Sequence, residues 1–175
     1  MTASFRIEGL AAGHDRKSFT CGVEVLDAYF RERASQDSKR RVSNCFVACD
    51  EAGKIAGYYT FAATSLPLTE LSVEERKQLP RYALLPAGLI GRLAIDLRFQ
   101  GQRLGGALVI DAAMRAARAE PAIFALIVDA KDEKALGFYQ HLGFRRFISK
   151  PASLYLPIAT ALRAATEHRP YTNAP

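Results

Sequence analysis

The chain has 175 residues, of which 49% are hydrophobic and 24% charged, as expected for one globular domain with a buried core. Its apolar runs are shorter than the roughly 20 residues that a membrane-spanning helix needs. The first residues, MTASFRIEGL, lack the basic-then-apolar pattern of a signal peptide. These features argue against a membrane or secreted protein. They predict a single domain over residues 1–175 in the cytoplasm, with no membrane partner.

The net charge of +6 is concentrated in two places. One basic cluster runs from Arg31 to Arg41, and the other begins at Arg145 and continues toward the C-terminus. Clusters of this kind attract phosphate backbones, but they are equally typical of a solvated helix face. Charge alone leaves both interpretations open.

The three cysteines, Cys21, Cys45 and Cys49, have no zinc-ligand spacing and no neighbouring histidine in the sequence. We expect them to be reduced and buried, and we predict no metal site. The histidines, His14, His141 and His168, are not predicted to take part in catalysis.

The first half of the chain begins with a predicted short strand at Phe5–Leu10. A helix is predicted from Thr20 or Cys21 to about Gln36, because Val23, Leu26 and Phe30 share one face. Two strands follow, CFVACD and IAGYYTFAAT. They are separated by the glycine-containing stretch Glu51–Lys54, which predicts a hairpin.

The second half alternates strands and helices. Ser72–Glu75 has the pattern of a capping box and predicts a short helix that ends near Leu79, before Pro80. The apolar runs GLIGRLAID, AIFALIVDA and SLYLPIA predict three strands. Between them we predict a helix to about Ala119 and a helix over Asp132–Leu142 that Gly143 ends. The order predicts an α/β (α+β) domain with a mixed sheet and a parallel βαβ core.

The corner between GLIGRLAID and the next helix carries the glycine-rich stretch QGQRLGG. A P-loop needs Gly-Lys followed by Ser or Thr, which the chain lacks, and Gly101, Gly105 and Gly106 do not fit the dinucleotide fingerprint. The remaining pattern is Q-x-x-G-x-A, Gln102 to Ala107. Its backbone amides, from Arg103 to Ala107, would form an anion site at a helix N-terminus.

This pattern after GRLAID resembles the pyrophosphate loop of the GNAT acetyltransferases. A second stretch, DEKALGFYQHLGFRRF from Asp132 to Phe147, is similar to the family's pattern of Asn, Ala, Phe-Tyr and Gly-Phe, with Asp132 in place of Asn. The resemblance implies the GNAT fold, with flanking helices around the sheet, and acetyl-CoA as cosubstrate. The residues that it assigns to the coenzyme are Leu93, Ala94, Ile95, Gln100, Gln102, Arg103, Leu104, Gly105, Gly106, Ala107, Asp132 and Phe138.

One GNAT branch is similar over nearly the whole chain, from about residue 14 to residue 164. FTCGVEVLDAYFRERASQD, GRLA, AKD and LPIAT resemble, in order, stretches of the tRNA-acetylating toxins of bacterial toxin–antitoxin pairs (TacT/AtaT type). The resemblance implies acetyl transfer to the α-amino group of aminoacyl-tRNA, which would block translation. It also implies a ribbon-helix-helix antitoxin as partner and a homodimer.

The resemblance gives Tyr139 the role of general acid that protonates the leaving thiolate. The helix pattern alone would also fit one more aromatic side chain on an apolar face. No residue carries a specific signal for a general base, and Asp96, Glu70 and Glu51 are the carboxylates considered. A free α-amino group has a pKa of about 8, and esterification lowers it, so much of the amine is already neutral. A carboxylate base is then unnecessary, and water or a backbone carbonyl could take the proton.

We expect the basic residues to form phosphate-binding patches for tRNA that read shape and backbone. They are Arg31, Arg33, Lys39, Arg40, Arg41, Arg92, Arg145, Arg146 and Lys150. Two other functions remain open from sequence: a GNAT enzyme that acetylates a small amine or a protein N-terminus, and a non-catalytic CoA-binding regulatory module. The sequence does not identify the aminoacyl-tRNA.

Overall fold

The computed structural model describes residues 4–167 of the chain. Its strands are β1 (Arg6–Gly9), β2 (Asn44–Cys49), β3 (Ile55–Pro67), β4 (Leu84–Ile95), β5 (Ala125–Asp129), β6 (Arg145–Arg146) and β7 (Ser153–Pro157). Its helices are α1 (Glu24–Glu32), α2 (Ala34–Lys39), α3 (Val73–Lys77), α4 (Leu104–Arg118), α5 (Glu133–His141) and α6 (Ile158–Glu167). Short 3₁₀ turns lie at Leu68–Glu70 and Leu97–Phe99. In this part of the chain, no helix is long and apolar enough to cross a bilayer.

The described strands form one sheet in the order β1-β2-β3-β4-β5-β7-β6. The pairs β1–β2, β2–β3, β5–β7 and β6–β7 are antiparallel, whereas β4 and β5 are parallel. Helix α4 connects the two parallel strands, so the predicted βαβ core and the mixed α/β class are confirmed.

Contacts divide the chain into two compact units, which we describe separately. The first unit runs to Ala63 and includes Leu89–Asp111, and the second contains Thr64–Gly88 and the described residues from Ala112 onward. Strands β3 and β4 contribute residues to both units. The single domain expected from the length stays a prediction.

Three aromatic side chains form the centre of the first unit. Phe30 stacks on Tyr58 with ring centroids 4.3 Å apart, and Phe19 meets both rings edge-on. The Tyr58 hydroxyl donates to the Leu26 carbonyl at 2.8 Å, which fixes α1 on β3. Cys21, Cys45 and Cys49 are buried and unpaired, as the sequence predicts.

The predicted helix from Thr20 or Cys21 to Gln36 is wrong at both ends. It begins later, at Glu24, and breaks at Arg33 before α2 continues to Lys39. The break buries Ala34 completely and brings Asp37 within 2.8 Å of the Tyr29 hydroxyl, which donates to it. Tertiary packing therefore overrides the uninterrupted helical pattern.

The β2–β3 hairpin has the predicted loop. Gly53 has a φ of +80°, in the left-handed region that glycine adopts without strain. The Lys54 backbone N–H donates to Asp50 Oδ1 at 2.8 Å and closes the turn.

The second unit contains the predicted capping box. The Glu75 backbone N–H donates to Ser72 Oγ, and the Ser72 backbone N–H donates back to Glu75 Oε2, both at 3.3 Å. Helix α3 is shorter than predicted, because it ends at Lys77 rather than near Leu79. Strand β6 has only two residues and was not predicted, since so short a segment has no readable alternation.

Candidate active site

The end of β4, Leu93–Ile95, lies in the first unit against Gly57 of β3. Ala94 is 4% exposed, whereas Leu93 and Ile95 are half-buried. A Cβ at Gly57 would lie 3.1 Å from the Ala94 carbonyl oxygen and 2.9 Å from Ile95 Cδ1. The backbones of β3 and β4 therefore approach so closely here that a glycine is needed.

The stretch Gln100–Gly106, which we call the glycine loop, turns the chain from β4 into α4. Gly101 has a φ of +79° and Arg103 a φ of +60°, so two left-handed residues make the corner. Helix α4 begins at Leu104, and the backbone N–H groups of a first helical turn have no acceptor within the helix. Gln102 and Arg103 are exposed beside them. This combination suits a bound anion such as a pyrophosphate.

One residue of α4 differs from the expectation for an anion site. The Ala107 N–H donates to the Arg103 carbonyl at 3.3 Å, so the prediction that this amide points out of the helix is wrong. The Leu104 side chain is only 3% exposed and lies in the core. The backbone amides of Arg103, Leu104, Gly105 and Gly106 remain predicted donors to an anion.

The Gln100 side chain bonds to two backbone carbonyl groups next to the glycine loop. Its Nε2 donates to the carbonyl oxygens of Ile95, at 3.1 Å, and Cys21, at 3.3 Å. The side chain therefore joins the end of β4 to the segment that precedes α1. The predicted coenzyme contact of Gln100 is not tested by these bonds.

Two of the carboxylates considered as bases have structural roles instead. Asp96 is fully buried. Burial alone would raise its pKa, but hydrogen bonds from Arg98 and from backbone N–H groups outweigh burial, and the pKa of Asp96 is lowered. Glu70 accepts hydrogen bonds from the Ser149 hydroxyl and N–H, which lower its pKa. A lowered pKa makes both carboxylates weaker bases.

Tyr139 lies on α5 in the second unit and is 8% exposed. Phe138 and Phe144 meet its ring edge-on, with centroids 5.0 and 5.4 Å away. Within residues 4–167 its hydroxyl makes no hydrogen bond to the protein. Burial raises the pKa of Tyr139 to about 12. The side chain is therefore a protonated, unpaired O–H donor at neutral pH.

Helix α5 is held at both ends by residues that the sequence identifies. The Ala135 N–H donates to Asp132 Oδ1 at 2.7 Å, which makes Asp132 the N-cap. Gly143 follows the helix with a φ of +97°, in the role predicted for it. The N-cap bond explains Asp132 without a ligand, and its predicted contact to the coenzyme stays a prediction.

The predicted tRNA-binding residues of the first unit differ in their surroundings. The exposed ones are Arg33, Lys39, Arg40 and Arg41. Arg31 forms an ion pair with Glu24, with Nη2 and Oε1 3.1 Å apart. The Arg92 guanidinium lies over the Tyr29 ring, with Cζ 3.5 Å from the ring centroid. The last two residues therefore have partners within the protein.

In the second unit, too, the predicted tRNA-binding residues include one with an ion-pair partner within the protein and others without an ion pair in the described part of the chain. Arg145 pairs with Glu75, which also accepts a hydrogen bond from the Tyr155 hydroxyl. Arg146 and Lys150 are exposed. Glu75 thus combines its role in the capping box with a contact to β6 and β7.

One cluster of potential metal ligands occurs in residues 4–167, formed by Glu8, His14 and Cys49. His14 Nδ1 accepts the Ala11 N–H at 2.9 Å, and Nε2 lies 2.8 Å from Glu8 Oε1. An imidazole that accepts at Nδ1 carries its proton on Nε2, which then donates to Glu8. Both nitrogens are already used, so the ring would have to break a contact to bind a metal.

Comparison with known proteins identifies the class. The sequence pattern of the acetyltransferase (GNAT) domain matches residues 41–146, which contain β4, the glycine loop and α5. The chain belongs to the GNAT acetyltransferases. This confirms the family and the fold predicted from the sequence.

Within that class, the similar proteins are toxins. The chain is 34% identical over 144 residues to the tRNA-acetylating toxin of Mycobacterium tuberculosis (strain ATCC 25618 / H37Rv), which covers 81% of this chain and 85% of the relative. The solved structure of AtaT complexed with acetyl-methionyl-tRNAfMet is 28% identical, with a TM-score of 0.84 and coverage of 93% of this chain and 99% of AtaT.

A second solved structure shows a tyrosine-to-phenylalanine variant of the toxin AtaT. It is bound to the C-terminus of the antitoxin AtaR and to acetyl-CoA. This chain is 26% identical to it, with a TM-score of 0.77 and coverage of 93% of this chain and 98% of that one.

Proposed function

We propose that this protein is a toxin that transfers the acetyl group of acetyl-CoA to the α-amino group of an aminoacyl-tRNA and so blocks translation. One observation carries the proposal: the similarity to a tRNA-acetylating toxin and to tRNA-bound AtaT. The likeness to AtaT covers 93% of the chain, well beyond residues 41–146 of the acetyltransferase pattern. The likeness therefore includes residues outside that pattern.

The first unit supplies the groups that bind the coenzyme. The backbone amides of Leu104, Gly105 and Gly106 bind the pyrophosphate at the positive end of α4, and Arg103 adds a charge-assisted contact. The backbone of Leu93–Ile95 binds the pantetheine arm, and an N–H there stabilises the negative charge that develops on the carbonyl oxygen. Acetyl-CoA supplies the acetyl group as an activated thioester.

Tyr139 acts as the general acid. The amine nitrogen forms the new bond to the acetyl carbon, the bond between that carbon and sulfur breaks, and the Tyr139 O–H protonates the departing sulfur. The ammonium proton passes to water, since Asp96 and Glu70 are weakened as bases and the esterified amine is partly neutral. Tyr139 suits this role because its hydroxyl is protonated and has no partner among the described residues.

The proposed contacts to tRNA phosphates are those predicted tRNA-binding residues that are exposed and have no ion pair among the described residues. They are Arg33, Lys39, Arg40, Arg41, Arg146 and Lys150. Arg31, Arg92 and Arg145 have partners within the protein, and their contacts to tRNA stay a prediction. A reaction on aminoacyl-tRNA places the protein in the cytoplasm, and we further propose a homodimer and a ribbon-helix-helix antitoxin as partners.

The test is acetylation by the purified protein with labelled acetyl-CoA and three kinds of acceptor: charged tRNA, polyamines and peptides. We expect label in charged tRNA and its loss in Tyr139→Phe. Label only in polyamines or peptides would replace the acceptor in this proposal. Binding of acetyl-CoA with no transfer to any acceptor would favour a non-catalytic module.

A further inference from the structure

The carboxylate of Asp96 lies between the end of β4 and the glycine loop and has no contact with solvent. It accepts hydrogen bonds from the Arg98 N–H at 2.9 Å and the Thr20 N–H at 3.1 Å. A buried charge is retained only where it is paired and hydrogen-bonded. Asp96 meets both conditions, although the reaction does not use it as a base.

Arg98 holds Asp96 with two side-chain bonds. Its Nε lies 2.8 Å from Oδ1 and its Nη2 2.9 Å from Oδ2, the two-pronged geometry that makes such pairs strong and directional. Asp96 also caps the 3₁₀ turn Leu97–Phe99, which leads directly into Gln100. The pair therefore fixes the path by which the chain enters the glycine loop.

Thr20 ties the same carboxylate to the segment before α1. The Leu97 N–H donates to the Thr20 carbonyl at 2.9 Å. The backbone of Thr20 therefore makes two hydrogen bonds here: its N–H donates to Asp96 and its carbonyl accepts from Leu97. On its other side, the Thr20 hydroxyl donates to Asp27 Oδ2 at 2.9 Å, and Asp27 is a buried residue of α1. The entrance to the glycine loop is thereby anchored to α1 as well as to β4.

We propose that Asp96 is a positioning residue for coenzyme binding: its buried carboxylate, held by Arg98 and Thr20, sets the glycine loop so that the amides of α4 meet the pyrophosphate. This inference rests on the proposed function. Pyrophosphate binding by backbone N–H groups requires a preset backbone, because these donors cannot move independently of the chain. Asp96 acts on coenzyme affinity and leaves the proton transfer by Tyr139 unchanged.

Asp96→Asn keeps the shape of the side chain and removes its charge. Each carboxylate oxygen accepts two hydrogen bonds, Oδ1 from the Arg98 N–H and Nε, and Oδ2 from the Thr20 N–H and Arg98 Nη2. The new amide nitrogen is a donor in either position, so two of these bonds are lost. We expect the Kd and the KM for acetyl-CoA to rise about 10-fold or more, with kcat within about threefold of wild type. A role confined to global stability would not separate KM from kcat in this way.

Substitutions of Arg98 test the same proposal independently. The Arg98 side chain is 45% exposed, so Arg98→Gln removes little buried surface. It keeps an amide donor for Asp96 but removes the positive charge that pairs with the carboxylate. Arg98→Gln should weaken acetyl-CoA binding in the same direction, and Arg98→Lys should restore part of the affinity because it keeps the charge. Thr20→Val removes the hydroxyl bond to Asp27 but keeps the backbone contacts to Asp96 and Leu97, so its effect on the Kd for acetyl-CoA should be smaller than that of Arg98→Gln.

The experiment is calorimetric titration of each purified variant with acetyl-CoA, together with the steady-state kinetics of acetylation. Higher Kd values for Asp96→Asn and Arg98→Gln, partial recovery in Arg98→Lys and a smaller rise in Thr20→Val would support the proposal. An unchanged Kd in a folded Asp96→Asn, or in Arg98→Gln if Asp96→Asn does not fold, would overturn it. So would a fall in kcat at constant KM. A wild-type protein that does not bind acetyl-CoA would instead reject the proposed function, and this inference with it.

Discussion

At the scale of single residues, the environment of Tyr139 sets the pH range in which it can donate a proton. Burial raises the pKa of its hydroxyl to about 12, above the ordinary value of about 10. A general acid is lost only when pH rises through its pKa, so ionisation of Tyr139 should cause no loss of kcat between about pH 7 and about pH 9.5. Single-turnover acetylation of charged tRNA across this range is the measurement.

The control for the Tyr139 experiment is Tyr139→Phe, whose residual rate gives the background at each pH. The phenyl ring keeps the contacts to Phe138 and Phe144, and the lost hydroxyl has no partner among the described residues. The variant should therefore unfold at the wild-type temperature while kcat falls about 100-fold or more. An alkaline decline in the wild type that is absent from Tyr139→Phe would contradict the raised pKa.

Gly57 illustrates a residue whose importance appears only in the structure. Gly57→Ala would place a Cβ 3.1 Å from the Ala94 carbonyl oxygen, and backbone cannot move aside as a side-chain tip can. We expect a loss of about 1–3 kcal/mol in the free energy of unfolding and a higher KM for acetyl-CoA, because Ala94 belongs to the strand proposed to bind the pantetheine arm.

The control for Gly57→Ala is Gly91→Ala, on β4. Its Cβ would meet only Thr60 Oγ1, at 3.3 Å, so its effects should be smaller than those of Gly57→Ala. Urea unfolding and acetyl-CoA kinetics of the two variants test this order. Equal stability and equal KM in Gly57→Ala and wild type would show that β3 and β4 can separate here without cost.

At the scale of secondary-structure elements, α5 contains a glycine that costs stability. Gly137 lies inside the helix, and a Cβ there would meet nothing within 4 Å. Glycine in a helix interior is less stable than alanine by about 0.5–1 kcal/mol. Gly137→Ala should therefore raise the free energy of unfolding by about that amount, as measured by urea denaturation.

Substitution of Gly143, at the end of α5, should have the opposite effect on stability from Gly137→Ala. Gly143 has a φ of +97°, so Gly143→Ala forces an alanine into a left-handed conformation and should lower the melting temperature. A stabilised Gly143→Ala, or a destabilised Gly137→Ala, would show that backbone conformation does not govern the stability of this helix.

Helix α5 and the β2–β3 hairpin were predictable because local signals mark their ends and their turn, whereas α3 ends earlier than the proline that follows it indicates. Asp132 and Gly143 mark the two ends of α5, and Gly53 marks the turn of the hairpin. The break at Arg33 has no such signal, because its cause is the burial of Ala34 against residues that are distant in sequence. Local chemistry thus sets the ends of α5, whereas tertiary contacts decide where a continuous pattern is interrupted.

At the scale of the whole molecule, the sequence predicted the family, the mixed sheet and candidates for the groups in the proposed reaction. It did not predict the long-range contacts that hold those groups in place. The glycine spacing and the Phe-Tyr pair are readable as motifs. The bond between Asp96 and Thr20 joins residues 76 positions apart in the chain, and nothing local indicates it. The basic clusters were also predictable from the sequence, but the ion-pair and aromatic partners of Arg31, Arg92 and Arg145 were not.

The exposed basic residues give the molecule a property that can be measured without knowing the acceptor. Each phosphate contact releases counterions, so binding to tRNA weakens as salt increases, with a slope of about 0.7–0.9 per contact on logarithmic axes. Arg40 is exposed at the end of α2 and has no ion pair among the described residues. Arg40→Glu should weaken tRNA binding and reduce the salt slope by about one contact.

Lys54→Glu provides a control with the same change in net charge. Lys54 is exposed in the hairpin loop, at the opposite end of β2 from Arg40, and a six-residue strand separates the two positions by roughly 20 Å. Filter binding of charged tRNA at several salt concentrations should therefore give the wild-type slope for Lys54→Glu and a shallower slope for Arg40→Glu. Identical slopes for the two variants would mean that overall charge, rather than a patch on α2, attracts the tRNA.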